Sequence, residues 1–142
     1  MRQYLLDTNV LIDYLTRRVP FGEDATELLQ VGVAGEARFH VASLSFANIE
    51  YIMRRQTSAT QARQLLMRLE QLVEILPVDA AVIRQAIASS FTDFEDAIQH
   101  FVALAHPAIN AIITRDPKGF RASVLPVISV AQALIELDNL AG

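Results

Sequence analysis

Cysteine is absent from this chain, which excludes disulfides and thiolate metal sites and points to a reducing cytoplasm. Long apolar runs are missing as well. Although 52% of the residues are hydrophobic, no run approaches the length that crosses a bilayer, so no membrane role is expected. Only His40, His100 and His106 offer imidazoles, and their spacing resembles no zinc site. Met1-Arg2-Gln3-Tyr4 leads directly into a strand without a charged-then-apolar leader, which argues against secretion. There is no internal repeat, low-complexity tract or linker, so the 142 residues read as one domain, 1–142. Lysine occurs once, as Lys118, and every other basic residue is arginine. The net charge of −4 argues against a simple polyanion binder. Arginine nevertheless suits bidentate phosphate contact. The pairs Arg17-Arg18 and Arg54-Arg55 stand at expected helix C-termini, where the dipole favours cations. Arg115, Lys118 and Arg121 form the better candidate phosphate contact.

What the chain does have is concentrated in Tyr4–Asp13. A short apolar run, Tyr4-Leu5-Leu6, stops on Asp7, and a second begins at Val10. The first reads as a buried strand and the second, Val10 to Leu15, as a largely buried helix. Asp7 thus falls at the carboxyl end of a strand, where open α/β sheets place ligands. Taken alone, Asp7 or Asn9 is better explained as a helix cap.

Strands and helices alternate through the rest. Helices are expected over Glu23–Val33 (stopped by Gly35), from Ser43 or Ser45 to Arg55, from Thr57 or Ser58 through Leu72, over Ala80–Ser89 capped by Asp79, over Phe94–Ala105 and over Val130–Leu140. Strands are expected over Arg38–Ala42, Val73–Val78 (an edge, given Pro77), Ala108–Thr114 and Val124–Ile128. This order predicts the α/β class: a single-domain α/β/α sandwich around a mainly parallel sheet.

The acids divide into bland and less bland cases. Asp116 ends the fourth strand, yet Asp-Pro is also an ordinary turn. Glu50 falls on the wheel among Phe46, Ile49 and Met53, a face that should be dry, where an ionised carboxylate is costly unless paired or metal-bound. Asp93 and Asp96 lie off the apolar face of their helix. Thr92 with Glu95 fits a capping box, and Asp93 with Asp96 fits it less closely. Asp13 precedes Arg17 by one helical turn and reads as an intrahelical ion pair.

Together the acids mean more. In a doubly wound sheet, strand ends and the starts of the following helices meet at one edge. Asp7, Glu50, Asp96 and Asp116 would gather there without matching cations, and a divalent ion is the economical neutraliser. With oxygen ligands alone, Mg²⁺ or Mn²⁺ is favoured, and such ions commonly meet phosphate substrates. Thr8, Asn9 and Thr114 could orient ligands or water from behind.

These residues resemble the PIN domain, the nuclease fold of the VapC-type toxins of toxin–antitoxin pairs. Leu6-Asp7-Thr8-Asn9-Val10-Leu11-Ile12-Asp13 is similar to that family's first acidic motif. Ser45 through Glu50 is similar to the second, and Asp93-Phe94-Glu95-Asp96-Ala97-Ile98-Gln99 to the third. Ile112-Ile113-Thr114-Arg115-Asp116-Pro117-Lys118-Gly119-Phe120 resembles the fourth, followed by Pro126-Val127-Ile128-Ser129 and a closing helix. The likeness covers nearly the whole chain with its motifs in order. It implies that Asp7, Glu50, Asp96 and Asp116 hold one or two Mg²⁺ or Mn²⁺ ions and that metal-activated water hydrolyses RNA. It implies too an auxiliary role for Asp93, phosphate contacts from Arg115 and Lys118, a cognate antitoxin and a homodimer. One position departs: where the family often carries a further acid before the phenylalanine, this chain has Gly119.

Two other readings stay open. One is a catalytically silent PIN-fold module that binds RNA or protein. The other is a phosphoacceptor receiver domain, which needs an acid pair after the first strand and a lysine after the last. The acids alone do not separate RNA from DNA, because the metal chemistry is the same.

Overall fold

A computed structural model describes residues 1–141 and shows five strands and seven α-helices. The chain runs β1 (Arg2–Leu6), α1 (Thr8–Thr16), α2 (Gly22–Val33), β2 (Ala37–Ala42), α3 (Ser43–Gln56), α4 (Ala59–Glu70) and β3 (Glu74–Leu76). It continues through α5 (Ala80–Ala88), α6 (Phe94–Leu104), β4 (Ala111–Ile113), a 3-10 turn at Pro117–Phe120, β5 (Val127–Ile128) and α7 (Val130–Ala141). The strands form one sheet in the order β3-β2-β1-β4-β5, and every pairing is parallel.

β1 lies at the centre, which accounts for its unbroken apolar run. Alternate residues enter opposite cores, as the strand period requires. Tyr4 and Leu6 join Phe39, Val41, Ala111 and Ile113 under α1, α2, α3, α4 and α7. Leu5 joins Ala42, Leu76 and Ile112 on the other face, under α5 and α6. A central strand covered on both sides cannot alternate apolar with polar.

The sheet grows from β1 through β2 to β3 and then crosses back to place β4 on the other side of β1. The strand order therefore reverses between β1 and β4, and the crevice at such a switch point lies beyond the carboxyl ends of the strands. Asp7 follows β1 there, and Thr114, Arg115 and Asp116 follow β4.

Local signals behave largely as read. Gly35, at a φ of +77°, stops α2 in the left-handed region that favours glycine. Ser58 caps α4 by accepting from Gln61 N, and Asp79 caps α5 by accepting from Val82 N. The start of α3 differs. Ala42 takes the N-cap position, Ser43 Oγ instead accepts from Val78 N across to the segment after β3, and Ser45 turns toward α1. Strands β3, β4 and β5 are shorter than their apolar runs. At β4 the change is visible: Asn110 still donates its backbone N–H to Gln3 O, but it accepts Gln3 N on its side chain and not on its carbonyl. No helix among the described residues is long and apolar enough to cross a membrane.

Candidate active site

Asp7 occupies the N-cap position of α1 in extended conformation, but its side chain makes no cap hydrogen bond. Its carboxylate turns instead across the switch point. Gln99 Nε2 on α6 donates to Oδ1 at 2.9 Å, and Thr114 Oγ1 after β4 donates to Oδ2 at 2.7 Å. Burial pushes the Asp7 carboxyl up, and the hydrogen bonds from Thr114 and Gln99 oppose that rise by favouring the charged form. A carboxylate only 6% exposed, held by two donors and paired with no cation among the described residues, is not an ordinary cap.

Asp96 comes from the first turn of α6. Periodicity assigned it to solvent, yet it is half-buried, and its carboxyl is pushed up to about 7. Burial is the first cause, and the charges of Asp7, Asp93, Glu95 and Asp116 add to it in that order. Asp93 is the true N-cap of α6, accepting Asp96 N at 2.9 Å, so the capping pair is Asp93–Asp96 rather than Thr92–Glu95. Asp116 stands at the N-cap of the 3-10 turn, exposed, with its backbone N–H donated to Thr114 Oγ1 at 3.0 Å. Asp7, Asp96 and Asp116 thus meet at the edge the sequence indicated. Asp7, Asp96 and Asp116 have no salt-bridge partner among the described residues.

Glu50 does not lie on a dry face. Its side chain is 25% exposed and pairs with Arg54 Nε at 3.3 Å, one turn along α3. It sits at the margin between buried Ile49 and exposed Tyr51, so its charge is accommodated by water and a neighbouring guanidinium. Asp13 is an ion-pair residue, but its partner is Arg115 and not Arg17: Nε lies 2.7 Å from Oδ2 and Nη2 3.3 Å from Oδ1. That engagement, with Phe21 stacked under the same guanidinium, ties Arg115 to Asp13 within the fold. Lys118 remains exposed.

The supporting polar residues converge. Thr114 Oγ1 serves as a hub, donating to Asp7 while accepting from Asp116 N and from Asn9 Nδ2 at 3.4 Å. Asn9 Oδ1 in turn accepts Arg115 N at 3.3 Å, so Asn9 ties α1 to the end of β4 and does not cap. Thr8 Oγ1 lies 2.7 Å from Ser45 Oγ and donates to Glu95 Oε1 at 3.2 Å.

A family model for the PIN domain matches residues 3–118. The chain belongs to the PIN domain family. No curated protein matches it. Among solved structures it is similar to DNA-bound VapBC from Salmonella typhimurium, with a TM-score of 0.71 and 14% identity over 92% of this chain and 99% of that one. It is also similar to VapBC2 from Rickettsia felis bound to a promoter DNA fragment, with a TM-score of 0.68 and 18% identity over 89% of this chain and 98% of that one. A third is VapC20 from Mycobacterium tuberculosis, a sarcin–ricin loop cleaving toxin, with a TM-score of 0.64 and 15% identity over 84% and 94%. These likenesses establish the PIN fold.

Sequence reasoning missed two residues of this PIN site. Gln99, only 1% exposed, bridges Asp7 Oδ1 and Thr8 N, whose N–H it accepts at 3.3 Å. Glu95 reaches Thr8 at the same edge. Gln99 lies off the apolar stripe of α6, and its place in the motif Asp93 to Gln99 was the available signal; Glu95 was hidden by its capping-box spacing. The donor set is all oxygen, crowded and uncompensated, which suits a hard cation in kind. No three acid or imidazole side chains among the described residues form a ready-made metal cage. Mg²⁺ commonly dispenses with one, keeping several waters and one or two carboxylates.

Proposed function

We propose that this chain is a Mg²⁺- or Mn²⁺-dependent endoribonuclease, the toxin of a toxin–antitoxin pair. One observation carries the reading: at the sheet's switch point Asp96 stands half-buried among Asp7, Asp93, Glu95 and Asp116, and Asp7, Asp96 and Asp116 have no salt-bridge partner among the described residues. A structure that crowds anions where substrates enter is arranged for a cation that arrives with, or before, a phosphate.

Asp7, Asp96 and Asp116 would hold the ion, and Glu50 would join them by leaving Arg54. When bound, the ion supplies a Lewis acid for a phosphoryl oxygen and lowers the pKa of a water. The chain's own share is positional. Thr114 and Gln99 fix the Asp7 carboxylate through both oxygens, and Asn9 and Thr8 hold the start of α1 against β4 and α3. Lys118, exposed on the turn that follows Asp116, is the residue assigned to substrate phosphate; such contacts bring affinity without sequence information.

Membership of the PIN family and a fold shared with a toxin that cleaves the sarcin–ricin loop support a cleaving toxin. The fold shared with VapBC complexes supports an antitoxin partner, and a homodimer in a cytoplasmic setting belongs to the same reading. The pairing of Glu50 with Arg54 favours a second reading, a silent PIN-fold binding module. Incubation with RNA separates the two. Cleavage that requires Mg²⁺ or Mn²⁺, stops with chelator and is lost in Asp7→Asn supports the nuclease; binding without cleavage by a folded protein supports the silent module.

A further inference from the structure

Gly119 does not follow from backbone conformation. Among the described residues Gly35 is the glycine with a positive φ, and position 119 can take an ordinary L side chain as far as its dihedrals are concerned. What excludes one is space. A Cβ built on Gly119 would collide with Asp96 Oδ2 and stand 3.2 Å from its Cγ and 3.9 Å from Oδ1, so its three nearest neighbours all belong to one carboxyl group.

That obstacle is the far end of a short side chain. The backbone behind it is fixed, because Asp93 Oδ1 holds Asp96 N at 2.9 Å and Ala97 N bonds to Asp93 O at 3.1 Å. A methyl group at position 119 would therefore be accommodated by turning the Asp96 carboxylate about its own χ angles, not by shifting α6 or the 3-10 turn. The carboxylate that would turn is the one crowded by Asp7 and Asp116.

We propose that Gly119 is a positioning residue for the site: it keeps open the space in which the Asp96 carboxylate stands, so that α6 contributes its acid from beneath the turn that carries Asp116. The inference rests on the metal-dependent reading of that site and names a residue that acts through Asp96 without touching ion or substrate.

The test is a double-mutant cycle in which Mn²⁺ affinity is read by calorimetry, with the thermal midpoint of each metal-free protein beside it. Gly119→Ala is expected to weaken Mn²⁺ binding by about ten- to a hundred-fold, the range seen when residues behind a metal ligand are changed. Its metal-free midpoint stays at the wild-type value. In the Asp96→Ala background the same exchange costs nothing further. Wild-type affinity in Gly119→Ala, or an equal loss in both backgrounds, overturns the proposal. If Gly119→Ala alone fails to fold while Asp96→Ala/Gly119→Ala folds, the shared space is confirmed. If both fail, the glycine serves the backbone and the proposal is wrong. A wild-type protein that binds no Mn²⁺ brings down the metal-dependent reading and this inference with it. Wild-type binding that Gly119→Ala leaves unchanged brings down the inference alone.

Discussion

Gln99 donates its side-chain amide to Asp7 Oδ1 at 2.9 Å from a helix that begins 87 residues after Asp7 in the chain, Phe94 to Leu104. The same amide accepts the backbone N–H of Thr8. One buried side chain thus fixes both the acid at the end of β1 and the first turn of α1. Gln99→Leu strips a partner from each, and leaving buried polar groups unsatisfied costs about 1–3 kcal/mol. Urea unfolding without metal should register that loss. Gln99→Glu should cost more as the pH rises, because it sets a second carboxylate against Asp7. A Gln99→Leu protein as stable as wild type would show the bridge to be incidental.

Arg115 and Asp13 form a pair in which the acid is 2% exposed and the cation closes over it with two contacts. Breaking a buried pair by removing one partner leaves a charge without compensation and costs about 3–5 kcal/mol. Arg115→Ala should lose stability in that range by chemical denaturation. Asp13→Asn/Arg115→Gln should recover much of it. Arg17→Ala should leave stability nearly unchanged, since Arg17 is exposed and Asp13 is engaged elsewhere.

The Asp96 carboxyl gives the metal-free protein a pH dependence of definite sign. Its folded-state value of about 7 lies above the ordinary 3.8, so between the two the folded chain keeps a proton that the unfolded chain has released. Stability from the neutral acid is complete below the lower value and is lost as pH rises through the higher one. Asp7, also shifted upward, acts in the same direction. In chelator, thermal unfolding of Asp96→Asn should match wild type in acid, exceed it increasingly as the pH rises between the two values, and hold a constant lead above them. Parallel pH curves for the two proteins would contradict the crowding.

The fold was legible because its signals are local. Apolar runs too short for helices sat between amphipathic helices, and Ser58, Asp79 and Gly35 marked helix ends by their own chemistry. The site was legible only in part. Strand-end placement located Asp7 and Asp116, but Asp96 faces away from the apolar stripe of α6, and periodicity cannot tell solvent from a polar crevice. Glu50 shows the opposite failure: a helical wheel marks a face, not where that face runs out. Asp13 found its partner across the fold because proximity in sequence says nothing about a strand end arriving from residue 115. Gly119 was visible as a departure; its reason needed the Asp96 side chain in place.

The most direct test of the site is calorimetric titration of Mn²⁺ into the metal-free wild type and Asp7→Asn at neutral pH, repeated in buffers of different ionisation enthalpy. Wild type should bind and release protons as it does so, because burial and the surrounding acids raise the Asp96 carboxyl to about 7, and it must ionise to serve as a ligand. Asp7→Asn, folded by circular dichroism, should bind at least about tenfold more weakly. No binding by wild type, or equal binding by both proteins, would contradict a metal site built on Asp7.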